Sequence, residues 1–286
     1  MHLQRGAVRL RGVTTQLSLS LDLARRIELA EAQAAVACAE TSDGTPVDGR
    51  AVMSIAGGFA VYCGPNSPIT QAVGLGLSGP VSEQEFERLE QFYRSRQEPV
   101  RVEICPLADV SLIEQFGGNG YRVTEFSNVM ARSLADWNDC RDQSAVEDVV
   151  IEKVGEKQME IWTLTVAQGF SDNFPVTQEI LNVMKTFGSG PAVTCFLARI
   201  GGEIAGGATL SMRDGVAGLF GASTLPAFRR RGVQTALLRE RLNRAASAGC
   251  DLAACLTRPA SGSQRNVIRE NFTVLYTRVK FERAWS

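Results

Sequence analysis

Apolar residues in the second half of the chain recur with two different periods, and these periods predict an order of strands and helices. Strand-like alternation is found at residues 149–154, 192–200, 203–212, 216–224, 251–257 and 272–281. Helical spacing is found at residues 156–168, 175–185, 233–247 and 263–270. The predicted order of elements is therefore β-α-α-β-β-β-α-β-α-β.

The first half of the chain can be laid over a similar order. A long amphipathic helix is predicted at residues 21–39, and another at 82–96 begins with Ser82 and Glu85 at the spacing of a capping box. Further elements are a short helix at 110–116 and strands at 51–55, 59–63, 72–77, 100–105 and 121–132.

The closing segments of the two halves resemble each other in sequence. Residues 120–132 can be aligned with residues 271–283, which indicates duplication of a unit of roughly 140 residues, an ordinary domain size. The polar stretch 136–147 has no apolar period and is the predicted boundary. We predict one domain at 1–137, a linker at 138–147 and a second domain at 148–286. Two α/β domains of unrelated origin are the alternative.

Composition and charge narrow the classes of function. The 286 residues include 44% hydrophobic residues, a share typical of globular proteins rather than disordered chains. Thirty Lys and Arg stand against 31 Asp and Glu, a net charge of −1. Because this balance gives no overall positive field, we expect neither nucleic acid nor a membrane as partner.

Histidine and cysteine usage restricts the chemistry further. The single histidine is His2, beside the initiator Met, so His-based triads, metal clusters and general bases are not expected. Seven cysteines lie without any CxxC spacing, mostly in apolar runs, which is typical of reduced thiols. No apolar stretch reaches membrane-spanning length. We therefore expect a cytoplasmic protein without a metal.

The most informative segment is residues 221–238, where a strand passes through an arginine-rich turn into a helix. A helix start presents unpaired backbone N–H groups and the positive end of the helix dipole, which suit a phosphate. Gly232 lets the backbone approach a ligand closely. The sequence contains neither GxxxxGK[ST] nor a GxGxxG that opens a βαβ unit. A merely solvated helix start is the competing interpretation.

Arg229-x-x-Gly232-x-Gln234 resembles the Q/R-x-x-G-x-G/A signature of the GNAT acyltransferase superfamily. The resemblance extends over about residues 149–281 and implies an α/β (α+β) fold. Together with the repeat, it implies two GNAT-like domains, each a mixed, mostly antiparallel sheet flanked by helices. It also implies acetyl-CoA as cosubstrate.

The resemblance assigns roles to residues of the motif. Residues 222–224 would line the pantetheine with strand backbone, and the amides of residues 230–235 would hold the pyrophosphate. The implied cofactor-binding residues are Ala222, Ser223, Thr224, Arg229, Arg230, Arg231, Gly232, Val233, Gln234, Thr235 and Asn266.

The sequence departs from the family pattern at three positions. Gln234 stands where Gly or Ala is usual, and Asn271 replaces a Gly in a turn. Val267 occupies the place of the Tyr that protonates the departing thiolate in many members. Tyr276, on the last predicted strand, is the nearest substitute, although an aromatic packed on a sheet face is the competing interpretation. No other catalytic residue is assigned.

The leading function is an acyl-CoA-dependent N-acetyltransferase that acts by direct attack in a ternary complex. A non-catalytic acyl-CoA-binding module and an interaction protein that uses the arginines are the alternatives. The acceptor would be a small-molecule or peptide amine, with a protein N-terminus, a lysine, an aminoglycoside, a polyamine and an amino acid all open. The oligomeric state is not indicated.

The N-terminal half lacks the motif. Its connection at 78–81 has no arginine and is predicted to be too short to curl around a pyrophosphate, and acids follow at Glu83, Glu85 and Glu87. We expect a degenerate GNAT-like domain without a cofactor site. Its expected role is to help wall the acceptor cleft, with Leu75 and Leu77 as contributors. A separate domain that only tethers or dimerises is the alternative.

Overall fold

The computed structural model describes residues 17–40, 47, 49–135, 137, 148–171, 175–190 and 192–285 of the chain. The predicted linker at 138–147 lies outside the described residues. No helix in these ranges combines the length and apolar character needed to cross a bilayer.

The N-terminal half contains three helices and five strands among its described residues. They are α1 (Leu21–Ala39), β1 (Ala51–Ile55), β2 (Gly58–Tyr62), β3 (Gln71–Val73), α2 (Glu83–Arg94), β4 (Val100–Ile104), α3 (Val110–Gly118) and β5 (Arg122–Ser133). The prediction was wrong for the strand at 72–77, because β3 ends at Val73. Gly74 (φ 78°) and Gly76 (φ 71°) turn the chain away from the sheet.

The C-terminal half follows the predicted order. Its elements are β6 (Val149–Lys153), α4 (Met159–Phe170), α5 (Gln178–Gly188), β7 (Val193–Ile200), β8 (Glu203–Arg213), β9 (Val216–Thr224), α6 (Val233–Ser247), β10 (Leu252–Thr257), α7 (Gly262–Arg269) and β11 (Thr273–Arg283). Single 3₁₀ turns precede α4 at Glu156–Gln158 and α6 at Pro226–Phe228.

All described strands lie in one 11-stranded sheet of order β1-β2-β3-β4-β11-β5-β10-β9-β8-β7-β6. The sheet is mixed and mostly antiparallel, as predicted, with parallel pairing of β3 to β4 and of β9 to β10. The last strand of each half crosses to the other half, since β11 pairs with β4 and β5 pairs with β10. The two halves therefore share a continuous sheet.

The exchanged strands lie about a local twofold axis. β5 and β11 pair antiparallel, and Ser127 stands opposite Arg278. These two residues are also equivalent in the alignment of 120–132 with 271–283. A register in which equivalent residues face each other is expected for a duplicated unit, and it supports the duplication over two unrelated domains.

Helices cover both faces of the sheet in the C-terminal half. A Cβ placed on Gly206 would meet Val233 of α6, whereas one on the adjacent Gly207 would meet Val166 of α4. Successive strand residues point to opposite faces, so α6 and α4 lie on opposite sides. Helix α1 of the N-terminal half shares the α4 side, because Ile27 packs in a buried cluster with Val216 of β9.

Ionic contacts fix α1 against both halves. The Arg26 guanidinium lies 2.6 Å from the Asp251 carboxylate just before β10. On the other side, buried Arg278 of β11 contacts the carboxylates of Glu28 (2.7 Å), Glu31 (2.7 Å) and Glu103 (3.0 Å). Burial raises the pKa of Glu28 despite the neighbouring guanidinium. Helix α1 is thus held in one position over the sheet.

Candidate functional site

Strands β9 and β10 separate part-way along their length and leave an opening in the sheet. Their parallel pairing extends only over Leu252–Ala254 against Val216–Gly218, although β10 continues to Thr257 and β9 to Thr224. On its other edge β10 stays paired with β5 from Leu252 to Thr257. The unpaired part of β9 therefore presents backbone groups to a cleft.

A β-bulge lies on β9 inside this opening. Gly207 pairs with Ser223 and Thr209 with Phe220, so Gly221 and Ala222 together stand opposite one residue of β8. Gly221 has φ 57°, and an added Cβ would lie 2.8 Å from the Thr209 hydroxyl oxygen. The bulge therefore removes the backbone of Gly221 and Ala222 from the regular β8–β9 pairing, and both residues line the cavity.

Helix α6 begins at the mouth of the cleft with its first amides uncapped. Gly232 is the N-cap residue in a left-handed conformation (φ 80°), and no side chain among the described residues caps the helix. Arg230 is also left-handed (φ 62°), an unusual conformation for a residue with a side chain. A glycine N-cap leaves the amides free for an anion.

In the N-terminal half, the start of the corresponding helix, α2, is capped by its own side chains. The Glu85 amide donates to the Ser82 hydroxyl at 3.3 Å, and the Ser82 amide donates to the Glu85 carboxylate at 3.0 Å. This confirms the predicted capping box of α2. The connection from β3 is longer than predicted, residues 74–82, so its capped and acidic helix start, not its length, argues against a phosphate site.

The opening leads into a cavity of about 1060 Å³ that is walled by both halves of the chain. The predicted residues that line it are Ala222, Ser223, Thr224, Arg229, Arg230, Gly232, Val233, Gln234, Thr235 and Asn266. Arg231 is not among the described lining residues, and its guanidinium lies 5.4 Å from the centre of the Phe228 ring. The structure thus brings all but one of the predicted residues to one cavity.

Polar side chains at the mouth of the cleft form hydrogen bonds with other groups of the protein. The Gln234 carboxamide donates to the Thr224 hydroxyl at 2.8 Å, and the Ser223 hydroxyl donates to the Val166 carbonyl at 3.1 Å. Arg229 donates to the Gly169 carbonyl at 3.2 Å. These bonds fix the end of β9 against α4 and α6, so a ligand meets a rigid backbone surface.

Comparison with known proteins agrees with the site geometry. The sequence model of the acetyltransferase (GNAT) family matches residues 151–265. This part of the chain, less than half of its 286 residues, is similar to the GNAT family. The match includes β9, the arginine-rich turn and α6, and it ends within α7. No curated protein matches the chain.

Solved structures share the fold over most of the chain. A GCN5-related N-acetyltransferase from Kribbella flavida is 17% identical, with a TM-score of 0.65 over 92% of this chain and 96% of that one. One from Sphaerobacter thermophilus is 16% identical, with a TM-score of 0.55 over 91% and 93%. A tandem GNAT protein from the clavulanic acid biosynthesis pathway is 12% identical, with a TM-score of 0.54 over 79% and 73%.

Tyr276 is placed away from the cleft between β9 and β10. It is 5% exposed, its hydroxyl donates to the Glu28 carboxylate at 2.7 Å, and it is not among the described residues that line the cavity. Burial raises its pKa far above the ordinary tyrosine value. Tyr276 thus holds α1 to β11, and the structure favours the competing interpretation of a packed aromatic.

The turn between α7 and β11 is formed without a glycine. Asn271 adopts a left-handed conformation (φ 62°), which asparagine tolerates better than most residues. Val267 of α7, which stands at the usual tyrosine place, is 8% exposed and lines the cavity. The side chain at that place therefore offers no proton to the cleft.

Arg241 of α6 is a buried cation on the cavity wall that sequence analysis missed. It is 3% exposed and donates to the Leu237 carbonyl at 3.0 Å and the Thr209 carbonyl at 3.1 Å. Burial lowers its pKa to about 10, and no carboxylate among the described residues forms an ion pair with it. Arg241 follows Gln234 by seven residues and therefore lies on the same face of α6. This spacing could have identified it as a residue of the site.

The cysteines on the cavity wall are poor nucleophiles. Burial raises the pKa of Cys38 to about 11 and that of Cys255 to about 12. Both thiols are therefore protonated near neutral pH. All cysteines in the described part of the chain are free. Neither thiol is therefore a candidate nucleophile of this cavity.

The N-terminal half contributes to the cavity through residues other than those predicted. Leu75 and Leu77 are 2% and 4% exposed, and neither is among the described lining residues, because both pack in the core. The wall is formed instead by one face of α1 and by residues around β3, including Glu31 and Gln71.

Proposed function

We propose that the protein is an N-acyltransferase that transfers the acetyl group of acetyl-CoA to an amine while both are bound. The observation that carries this proposal is the uncapped start of α6, which opens into the gap between β9 and β10. A phosphate site at one end of a cleft in a sheet fits a long thioester such as acetyl-CoA.

The residues of the cleft fit the parts of the cosubstrate. The amides of residues 230–235, with the side chains of Arg229 and Arg230, would hold the pyrophosphate. The unpaired edge of β9 at residues 222–224 would bind the amides of the pantetheine. Asn266 of α7 lines the same cavity and would contact the pantetheine from the side opposite β9.

Transfer forms a C–N bond and breaks the C–S bond, whose electron pair leaves on sulfur, and the proton lost by the amine goes to the thiolate. The protein would accelerate this step by holding both partners together and by stabilising the charges that develop. The backbone amide at the Gly221–Ala222 bulge would stabilise the oxyanion. The buried Arg241 guanidinium would stabilise the thiolate, in the place of a tyrosine proton.

The arrangement favours catalysis over a non-catalytic acyl-CoA-binding module. A buried cation costs free energy unless it gains a counter-charge, and Arg241 lines the cavity about two helical turns beyond the start of α6. Its placement at the level of Thr209, which pairs with Phe220 beside the bulge, puts it near the expected thioester. A module that only binds CoA would not need this charge there.

We expect acetyl-CoA to stabilise the folded protein and to be consumed in the presence of an amine. At 100 times the dissociation constant a ligand adds about 2.7 kcal/mol to the free energy of unfolding, which raises the melting temperature by several degrees. Thermal melts with and without CoA, followed by thiol release with a panel of amines, measure both effects. An unchanged melting temperature at millimolar CoA contradicts the cosubstrate, whereas a shift without thiol release supports the non-catalytic alternative.

A further inference from the structure

The cavity continues beyond the cleft into a chamber, which we call the α1 chamber. It is lined by Ile27, Ala30, Glu31 and Ala34 of α1, and by Ile69 and Gln71 around β3. On the side of the C-terminal half, Phe187 and Phe220 line the same cavity, with their ring centres 5.8 Å apart. The α1 chamber lies on the face of the sheet opposite α6, so it approaches the thioester from the side away from the phosphates.

Charge is separated along this single cavity. The cations on the lining belong to the C-terminal half, and they are Arg229, Arg230, Arg241 and Arg269. Glu31 is the one carboxylate among the described lining residues, and it belongs to the α1 chamber. A polyanion therefore fits one end of the cavity and a single positive charge fits the other.

Glu31 retains the capacity to bind a cation although it contacts Arg278. The Arg278 guanidinium lies 2.7 Å from Glu31 and also serves Glu28 and Glu103. The nearby Lys280 is shared between Glu103 and Glu125. Four carboxylates thus share three cations, because Glu125 also pairs with Arg258 at 3.3 Å. Glu31, with a side chain 31% exposed, is the member of this cluster that faces the cavity. Each of its oxygens can accept a further hydrogen bond.

The rest of the α1 chamber is apolar, with one exception. The Gln71 carboxamide oxygen is buried and has no hydrogen-bond partner among the described residues. Such an orphaned acceptor costs free energy unless a ligand supplies a donor. Alanines at positions 30 and 34 leave room between α1 and the aromatic rings for an apolar group.

We propose that the α1 chamber binds the acceptor, a primary monoamine with an apolar or aromatic body. Its ammonium group binds at Glu31 and Gln71, and its body lies between the alanine face of α1 and the rings of Phe187 and Phe220. The Glu31 carboxylate accepts one ammonium proton, so that the neutral amine attacks the thioester carbonyl and passes a second proton to the thiolate. The proposal rests on the proposed function, since it concerns the acceptor of the same transfer. Polyamines and aminoglycosides are disfavoured, because a single carboxylate cannot pair with several ammonium groups and the apolar walls cannot satisfy hydroxyls.

The test measures acetyl transfer to 2-phenylethylamine, spermidine and kanamycin, together with calorimetric affinity for CoA. Ala34→Phe fills the α1 chamber without touching the ionic cluster, and Glu31→Gln removes the charge at constant size. The matched controls lie on the exposed face of the same helix. They are Leu29→Phe, at a residue that is 40% exposed, and Asp22→Asn, at a side chain that is 89% exposed.

The wild-type protein is expected to have at least a tenfold higher kcat/KM for 2-phenylethylamine than for spermidine or kanamycin. Ala34→Phe and Glu31→Gln should each raise the KM for 2-phenylethylamine at least tenfold and change the CoA affinity less than twofold, whereas both controls stay at wild-type values. If Glu31→Gln fails to fold, Ala34→Phe decides alone.

Three results would overturn the proposal. One is a preference for spermidine or kanamycin. Another is transfer to other amines of the panel without transfer to 2-phenylethylamine, a result that leaves CoA binding and the transfer reaction intact. A third is Ala34→Phe weakening octanoyl-CoA while sparing the amine KM, which assigns the chamber to an acyl chain. Failure of the proposed function is distinguishable, because the wild-type protein would then bind no CoA, or would bind it without releasing thiol with any amine of the panel.

Discussion

Replacing Gly232 with Asp is expected to weaken CoA binding by roughly 2 kcal/mol or more, a rise of about 30-fold in the dissociation constant. Gly232 is the left-handed N-cap of α6 (φ 80°) and lines the cavity. A carboxylate there would cap the amides that a pyrophosphate needs and would repel its charge. The fold should survive, because the change lies at the start of a surface loop and helix. Calorimetric titration with CoA measures the effect.

A control for this prediction exists at the other end of the same helix. Gly249 follows α6 with φ 84°, and a Cβ there meets nothing within 4 Å. Gly249→Asp therefore introduces the same charge and a similar backbone strain away from the cleft. CoA affinity should stay at the wild-type value in this variant. Equal affinities for Gly232→Asp and the wild type would place the phosphates elsewhere.

Replacing Arg241 with Met is expected to lower kcat by on the order of 100-fold while leaving stability unchanged or raised. The lowered pKa of Arg241, about 10, means that folding disfavours its charged form, so loss of the charge removes a destabilising contribution. The rate should fall because the departing thiolate loses its counter-charge. The KM for acetyl-CoA should change little, since the phosphates bind at the other end of the cleft. Steady-state kinetics and thermal melts measure the two effects.

Two further variants separate this role from general effects of charge. Arg244→Met removes an arginine from the same helix that pairs with Glu240 at 2.6 Å and lies outside the described cavity wall. Its kcat should match the wild type. Arg241→Lys keeps the charge and should retain more activity than Arg241→Met. A kcat for Arg241→Met within threefold of the wild type would refute a catalytic role for Arg241.

Local signals were sufficient for most of the fold around the site. The strand predicted at 216–224 and the helix predicted at 233–247 coincide with β9 and α6. Local residues fix the start of both elements. Asp214 and Gly215 form the turn that precedes β9, and Gly232 is the N-cap residue of α6. The phosphate-binding residues are contiguous in sequence, so a motif could bring nearly all of them together.

Features that depend on distant pairing were not predictable in the same way. The exchange of β5 and β11 depends on which neighbouring strand each of them pairs with in the sheet. The spacing of apolar residues within a strand does not specify that neighbour. The same holds for Tyr276, whose partner Glu28 lies 248 residues away. Glu31 likewise reaches the cavity only because α1 of the first half is held over the sheet of the second.

A crystal structure of the protein with bound CoA would test the central claim most directly. The claim is that the C-terminal half binds acyl-CoA between β9 and β10 for transfer to an amine. We expect one CoA per chain, with its pyrophosphate on the amides of residues 230–235, its pantetheine along residues 222–224 and its sulfur facing Arg241. The start of α2 should carry none. CoA bound at the start of α2, or with its phosphates away from residues 230–235, would contradict the account.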